Sequence, residues 1–182
     1  SSAQSVVPSG APFTRCKENN IFPNESGGLF ERTYRGHSFI FKVEAISEII
    51  IDTIFLEFVG TATVVSLWTK KGSYEGHEKD ETKWTKVVTD VVMGTGEINK
   101  EDFTRVQVDK GTDQSFYLFF DGASISYKEE NNREGTVDAE NNDLKIIWGV
   151  RGTNKWNSFS IRGNGMISTK INYTACKSEQ TN

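Results

Sequence analysis

The chain has 182 residues, a length within the usual range of one domain and sufficient to bury a substantial core. A formal charge of −4 and a pI near 5.3 give no excess of Lys and Arg to neutralise phosphates, which argues against nucleic acid as a partner. The longest apolar stretch, Ile49 to Val59, is interrupted by Asp52 and Glu57 and is shorter than the roughly 20 residues that cross a bilayer, so we expect no membrane insertion.

The chain divides into one domain and two short tails. Residues 1–12 are rich in Ser, Pro and Gly, and we expect a disordered tail or a linker there. A single β-sandwich domain is predicted over residues 13–177, followed by a second tail over residues 178–182.

Two cysteines lie at the ends of the predicted domain. Cys16 and Cys176 bracket nearly every apolar residue, and an N-glycosylation sequon lies near each of them, starting at Asn24 and at Asn172. This combination predicts a secreted glycoprotein closed by one end-to-end disulfide. The bridge would hold the segment before the first clear strand against the last strand, so the two termini would leave the domain side by side. Two free buried thiols in a cytosolic protein are the alternative.

The apolar residues mostly alternate with period two, and many of them are β-branched or aromatic. Clusters of Gly, Asn and Asp separate these segments and are typical of turns. About ten short strands at such spacing predict an all-β fold, a two-sheet antiparallel sandwich of jelly-roll type. The predicted strands are Phe39 to Val43, Ile54 to Phe58, Val64 to Thr69, Trp84 to Met93, Phe103 to Val108, Ser115 to Phe120, Ile125 to Tyr127, Leu144 to Trp148, Phe159 to Arg162 and Ile167 to Tyr173.

Two of these strands carry further information. The strand Ser115 to Phe120 has large apolar side chains on both faces, so we expect it to be covered on both sides. In the strand Ile167 to Tyr173 the apolar residues alternate with Ser168, Lys170 and Asn172, which places the sequon asparagine on the solvent face.

The run Leu67 to Val87, LWTKKGSYEGHEKDETKWTKV, resembles a β-domain that recurs in secreted proteins of diatoms, other algae and bacteria. In that family an aromatic strand end leads into a Gly-Ser/Thr-Tyr-x-Gly turn, and a polar spacer precedes a Trp that begins the next strand. The segments FKVEAISEIIIDTIFLEF, QSFYL and NDLKI resemble neighbouring strands of the same family, so the likeness covers most of residues 27–174.

The resemblance implies a β-sandwich module of a larger surface or matrix protein, and no catalytic motif comes with it. The chain differs from the family pattern at Ile161 to Gly165, where the family more often has a Pro-Arg step followed by Trp-Asn-Gly.

Few residues suit nucleophilic catalysis, which needs a base beside Ser, Thr or Cys. His37 and His77 are the two histidines of the chain, and neither lies in a recognised catalytic motif. A pair of carboxylates could serve glycoside hydrolysis, but 25 acidic residues give no basis for choosing one. We therefore expect a protein that is not an enzyme.

The stretch Asp138 to Asp143 offers alternating oxygen ligands of the kind that calcium prefers, with Asp138, Glu140 and Asp143 as candidates. It lacks the Gly and the final Glu of an EF-hand loop, and a polar β-turn with Asx hydrogen bonds is the alternative. No other cofactor is expected.

Two aromatic residues lie in polar loops and could stack on sugar rings. Trp156 is the first candidate and Tyr74 the second, whereas Trp68 and Trp148 have the apolar neighbours of core residues. The alternative is that each loop aromatic folds back over the sandwich as a plug.

These observations predict an extracellular structural or adhesive module of a cell-surface, matrix or fibre assembly. Its expected partners are other extracellular proteins or further copies of itself. The alternative function is carbohydrate binding through the loop aromatics, with glycans as partners.

Overall fold

A computed structural model describes residues 14–23 and 32–178 of the chain. Within these residues fifteen strands form two antiparallel sheets, which confirms the predicted all-β sandwich. The strands are β1 (Thr14–Ile21), β2 (Arg32–Tyr34), β3 (His37–Ala45), β4 (Ile49–Leu56), β5 (Phe58–Val59), β6 (Thr63–Lys71), β7 (Thr85–Met93), β8 (Gly96–Glu97), β9 (Val106–Val108), β10 (Asp113–Asp121), β11 (Ser124–Lys128), β12 (Val137–Glu140), β13 (Leu144–Thr153), β14 (Ser160–Ile167) and β15 (Thr169–Ser178). Short 3-10 helices, Glu81–Lys83 and Trp156–Ser158, lie in two of the loops.

The two sheets differ in size. The small sheet has the order β1-β15-β4-β8, with β9 also paired to β4. The large sheet has the order β2-β11-β14-β13-β3-β10-β6-β7, with β12 beside β13 and β5 beside β11. Because β1 pairs only with β15, the first and last described strands lie side by side at one edge of the small sheet.

The main core lies between the inner faces of the two sheets. β10 shows how it is built, since Phe116, Leu118 and Phe120 point into this core and are fully buried. The intervening Tyr117 is equally buried but belongs to a second apolar cluster on the other face of the same sheet. The prediction that this strand is covered on both sides is therefore confirmed.

The second cluster covers the outer face of the large sheet. One row of it runs across four neighbouring strands in register: Trp68, Tyr117, Ile40 and Val150. Loop aromatics complete the cluster over this row: Tyr74, Trp84 and Phe159 are buried, and Trp156 packs against them. This face requires a cover because burying apolar rings stabilises the fold by about 25 cal/mol for each Å² of apolar area removed from water.

Most of the two predicted tails, residues 1–12 and 179–182, lies outside the described residues.

The predicted alternation in the last strand is confirmed. Ile171, Tyr173 and Ala175 are buried, while Lys170 and Asn172 are half-exposed.

Candidate functional site

The cysteines pair as predicted. Cys16 of β1 lies directly opposite Cys176 of β15, their Cα atoms are 4.1 Å apart, and a disulfide joins them. Since Tyr173 and Ala175 point into the sandwich, strand alternation puts the bridge on the outer face of the small sheet. Cys16 is exposed there.

The sequon at Asn172 is on the same outer face. Its Nδ2 atom, to which a glycan would be attached, donates a hydrogen bond to Glu97 Oε1 at 3.0 Å, and the side chain is half-exposed. The third residue of the sequon, Thr174, donates to Asp52 Oδ2 at 2.7 Å. The placement agrees with the prediction that Asn172 faces solvent. Asn24 lies outside the described residues, and glycosylation of either residue stays a prediction.

The predicted calcium ligands do not come together. Asp138 forms an ion pair with Lys128 at 2.7 Å, and the two side chains are only 4% and 3% exposed. Glu140 is exposed at the end of β12. Among the residues that the structure describes, no group of three or more His, Cys, Asp or Glu side chains is placed to hold a metal ion. The prediction of a calcium site is wrong because Asp138 instead neutralises a buried ammonium group.

The stretch before β13 has the alternative structure, an Asx turn. Asn141 Oδ1 accepts hydrogen bonds from the backbone N–H groups of Asp143 at 2.9 Å and Leu144 at 3.0 Å. Asp143 is buried and its Oδ2 accepts a hydrogen bond from the Tyr173 hydroxyl at 3.0 Å. Burial is the main cause that raises the pKa of Tyr173 to about 12. The turn therefore ties the start of β13 to the last strand of the small sheet.

Tyr74 does not present its ring to solvent. It is 1% exposed, and its hydroxyl donates a hydrogen bond to Glu134 Oε1 at 2.8 Å. Burial, followed by the hydrogen bond to this carboxylate, raises the pKa of Tyr74 well above its ordinary value. The prediction of Tyr74 as a stacking platform is thereby corrected, since its ring is part of the second cluster and has no free face.

Trp156 occupies an intermediate position. Its ring packs on Tyr117 and Trp68, with centroid distances of 4.8 and 5.0 Å, but the residue remains only half-buried. Its φ of 52° lies in the left-handed region, which is rare for a bulky residue. Packing of the indole on the second cluster holds the Trp156 backbone in this conformation, which costs of order 1–3 kcal/mol. Backbone strain of this kind is concentrated at functional sites.

Strained backbone recurs around Trp156. Asn154 has a φ of 58° and His37 a φ of 83°, and these residues meet where the end of β13 pairs with the start of β3. Ser38 donates a hydrogen bond to the Asn154 carbonyl oxygen across this junction. Because no glycine relieves the strain at these positions, packing of the junction must fix all three conformations.

A half-exposed ring and several charges surround this junction. Phe119 stacks with His37 at a centroid distance of 6.0 Å, and the Lys155 ammonium lies 4.6 Å from the centroid of the Phe119 ring. Asp90 accepts a hydrogen bond from Ser66, the strand neighbour of Phe119, and this bond together with the Lys86 ammonium lowers the pKa of Asp90.

We call this patch the Trp156 surface and define it by five residues: His37, Asp90, Phe119, Lys155 and Trp156. It combines two partly exposed rings with a carboxylate, an ammonium and an imidazole. Flat rings bordered by hydrogen-bonding groups suit the apolar face and the hydroxyls of a sugar. Of these five residues the sequence pattern points only to Trp156, because the other residues meet through strand register.

The His37 ring and both cysteines, which are candidate groups for catalysis, make contacts within the fold. The Nδ1 atom of His37 is 2.9 Å from the Phe120 carbonyl oxygen, which occupies one ring nitrogen in a hydrogen bond. His77 contributes its backbone carbonyl, which accepts a hydrogen bond from Trp84 Nε1 at 2.9 Å, and this bond does not involve the imidazole. Both cysteines of the chain are in the disulfide and so carry no thiolate.

Comparison with models of known protein families gives no match, and neither does comparison with curated protein sequences. What the structure defines is a class: an antiparallel β-sandwich in which a disulfide joins the edge strand β1 to its neighbour β15. In the part of the chain that is described, no helix is long and apolar enough to cross a membrane.

Proposed function

We propose that this chain is an extracellular, non-enzymatic module that serves as a structural or adhesive unit of a cell-surface, matrix or fibre assembly. The observation that carries the proposal is the Cys16–Cys176 disulfide, which joins the first and last described strands on the solvent-facing side of the small sheet. Disulfides persist in oxidising compartments, and the exposure of Cys16 would give cytosolic reductants direct access to the bond.

The position of the bridge also suits a load-bearing unit. Thr14 pairs with Ser178 and Cys16 with Cys176, so chain segments entering β1 and leaving β15 do so at the same corner. A force that separates these segments acts on a covalent bond two residues inside the strand pair. The remaining strands of the sandwich are protected from that force.

Peptide mapping of native material under non-reducing conditions tests the proposal. We expect the Cys16 and Cys176 peptides to be joined, and the Asn172 peptide to carry a glycan if the chain passes through a eukaryotic secretory pathway. A reduced and alkylated aliquot of the same sample is the control. Recovery of both cysteines as free thiols from native material would contradict an extracellular role.

A second function, carbohydrate binding, is favoured by the strained backbone that holds Trp156 over Tyr117, on the same apolar cluster against which Phe119 packs. A glycan array probed with the wild type and with Trp156→Ala tests it. Phe22→Ala is the matched control, because Phe22 is an aromatic side chain that is 58% exposed. Binding that is lost only in Trp156→Ala supports this function, whereas equal binding by both variants contradicts it.

A further inference from the structure

A groove opens at one end of the sandwich, between the two sheets. It has a volume of about 710 Å³. One wall comes from β1 and β15 and the other from the Asx turn before β13. The lining residues are Arg15, Cys16, Lys17, Asn19, Asn141, Asn142, Asp143, Ala175 and Lys177. We call it the end groove.

The strand wall of the end groove carries cations at inward positions. Strand alternation puts Arg15 and Lys17 on the same face of β1 as the buried Ile21, and it puts Lys177 on the same face of β15 as the buried Ala175. Further along both strands this face packs into the core. At the groove it instead presents three positively charged side chains, in a chain whose net charge is −4.

Strand register brings two of these charges together. Arg15 is directly opposite Lys177, and Lys17 is opposite Ala175 on the same face. All three side chains therefore line the same wall of the groove, where a negatively charged ligand would contact them together.

The turn wall offers groups of a different kind. Asp143 Oδ1 is buried and has no hydrogen-bond partner among the described residues, although its other oxygen accepts from Tyr173. A buried carboxylate oxygen without a donor is costly. Asn142 is exposed beside it, and its amide can both donate and accept hydrogen bonds. This wall suits a ligand that carries hydroxyl groups.

We propose that the end groove binds an acidic saccharide, with the anionic group against Arg15, Lys17 and Lys177 and the sugar hydroxyls toward Asn142 and Asp143. A simple anion would use only the strand wall, whereas a sugar acid or a sugar sulfate uses both walls. This inference rests on the proposed function only in that an extracellular module would meet such polysaccharides. It does not depend on the Trp156 surface, because Asn142 and Trp156 lie beyond opposite ends of β13.

The experiment uses the purified, disulfide-bonded protein and three probes: a galacturonic acid tetramer, a sulfated galactose tetramer and the neutral galactose tetramer. Titration calorimetry gives the affinities, and shifts of backbone and Asn142 side-chain amides in NMR spectra locate the binding. The test variant is Lys17→Glu/Lys177→Glu. The matched control is Lys70→Glu/Lys71→Glu, which changes the net charge equally in a separate surface groove.

We expect at least one acidic tetramer to bind, the neutral tetramer to bind at least about tenfold more weakly, and the amide shifts to centre on Asn142 and Ala175. Lys17→Glu/Lys177→Glu should weaken binding at least about tenfold and the control by less than about twofold. Which of the two acidic probes binds identifies the anion as carboxylate or sulfate.

Three results would overturn the inference. The first is an equal loss of affinity in the test and control variants. The second is a set of amide NMR shifts centred elsewhere on the surface. The third is displacement of the tetramer by inorganic sulfate at equal concentration, which would show an anion site alone. Asn142→Ala separates these further, since a saccharide site loses affinity in this exposed-residue variant and an anion site does not. None of these results bears on the disulfide or on where the protein resides.

Discussion

Removal of the disulfide should cost this fold a large part of its stability. The bridge closes a loop with a sequence separation of 160 residues. In the chain-entropy relation, a loop of that length stabilises the folded state by about 5 kcal/mol at 25 °C, because the closed unfolded chain has fewer conformations to lose. Natural domains have total stabilities of about 5–15 kcal/mol, so a loss of about 5 kcal/mol would be a third of the total or more.

Equilibrium unfolding in urea measures this effect. The comparison is between the wild type and Cys16→Ser/Cys176→Ser, a change that suits the exposed position of Cys16. We expect the free energy of unfolding to fall by about 3–5 kcal/mol, and the slope with denaturant to rise because the unlinked chain exposes more surface. Wild-type protein unfolded with a reductant present should match the double variant.

The same variant should show where the bridge acts. β1 is an edge strand that pairs with β15 alone, and most of its side chains are exposed. Without the bridge we expect its amides to exchange with solvent first, while the β10 amides keep their protection. A loss below about 1 kcal/mol, or uniform exchange across both sheets, would refute the reasoning.

Three further substitutions probe the interior. Gly149→Ala should destabilise the fold by about 3 kcal/mol or more in urea unfolding, because the added Cβ would lie 1.7 Å from a backbone oxygen of β3. The control is Gly94→Ala, whose added Cβ meets nothing within 4 Å and which should change stability by less than about 0.5 kcal/mol. Asp138→Ala should cost about 3–5 kcal/mol in the same assay because it leaves the Lys128 ammonium buried without its carboxylate, and the apolar pair Lys128→Met/Asp138→Leu should recover most of that loss. The Tyr173 pKa is raised to about 12 in the folded protein. The contribution of the Tyr173 hydroxyl to stability is therefore complete below pH about 10 and is lost as the pH rises through about 12. Tyr173→Phe should flatten this part of the alkaline unfolding profile.

Each of these expectations can fail independently. Equal stabilities of the two glycine variants would mean that β13 and β3 can separate at no cost. A harmless Asp138→Ala would show that the Lys128 ammonium reaches water. An alkaline profile unchanged by Tyr173→Phe would assign the pH dependence to other groups.

The strands that hold the main core could be predicted because their apolar residues alternate. β1 could not be predicted from its pattern, since TRCKENNI has few apolar residues and owes its strand conformation to β15 and the disulfide. β2, β5 and β8 have only two or three residues each, which is too short for a periodic signal.

The candidate sites were harder to predict, because they depend on register and loop packing. Polar neighbours made Tyr74 look exposed, but the rings of Trp68 and Tyr117 on the outer face of the large sheet required a cover. The signal was present in the sequence: a strand with large apolar residues on both faces implies a second layer, and the nearby loops supply aromatic residues for it. The end groove had no comparable signal, since Arg15 and Lys177 meet only through strand pairing.

Labelling of intact cells with a membrane-impermeant amine reagent tests the central claim most directly. The chain offers exposed lysines, among them Lys17, Lys71 and Lys177. The account predicts that native protein is labelled before lysis, or is recovered from the surrounding matrix or medium, with Cys16 and Cys176 joined. Labelling that occurs only after lysis, with both thiols reduced, would contradict it.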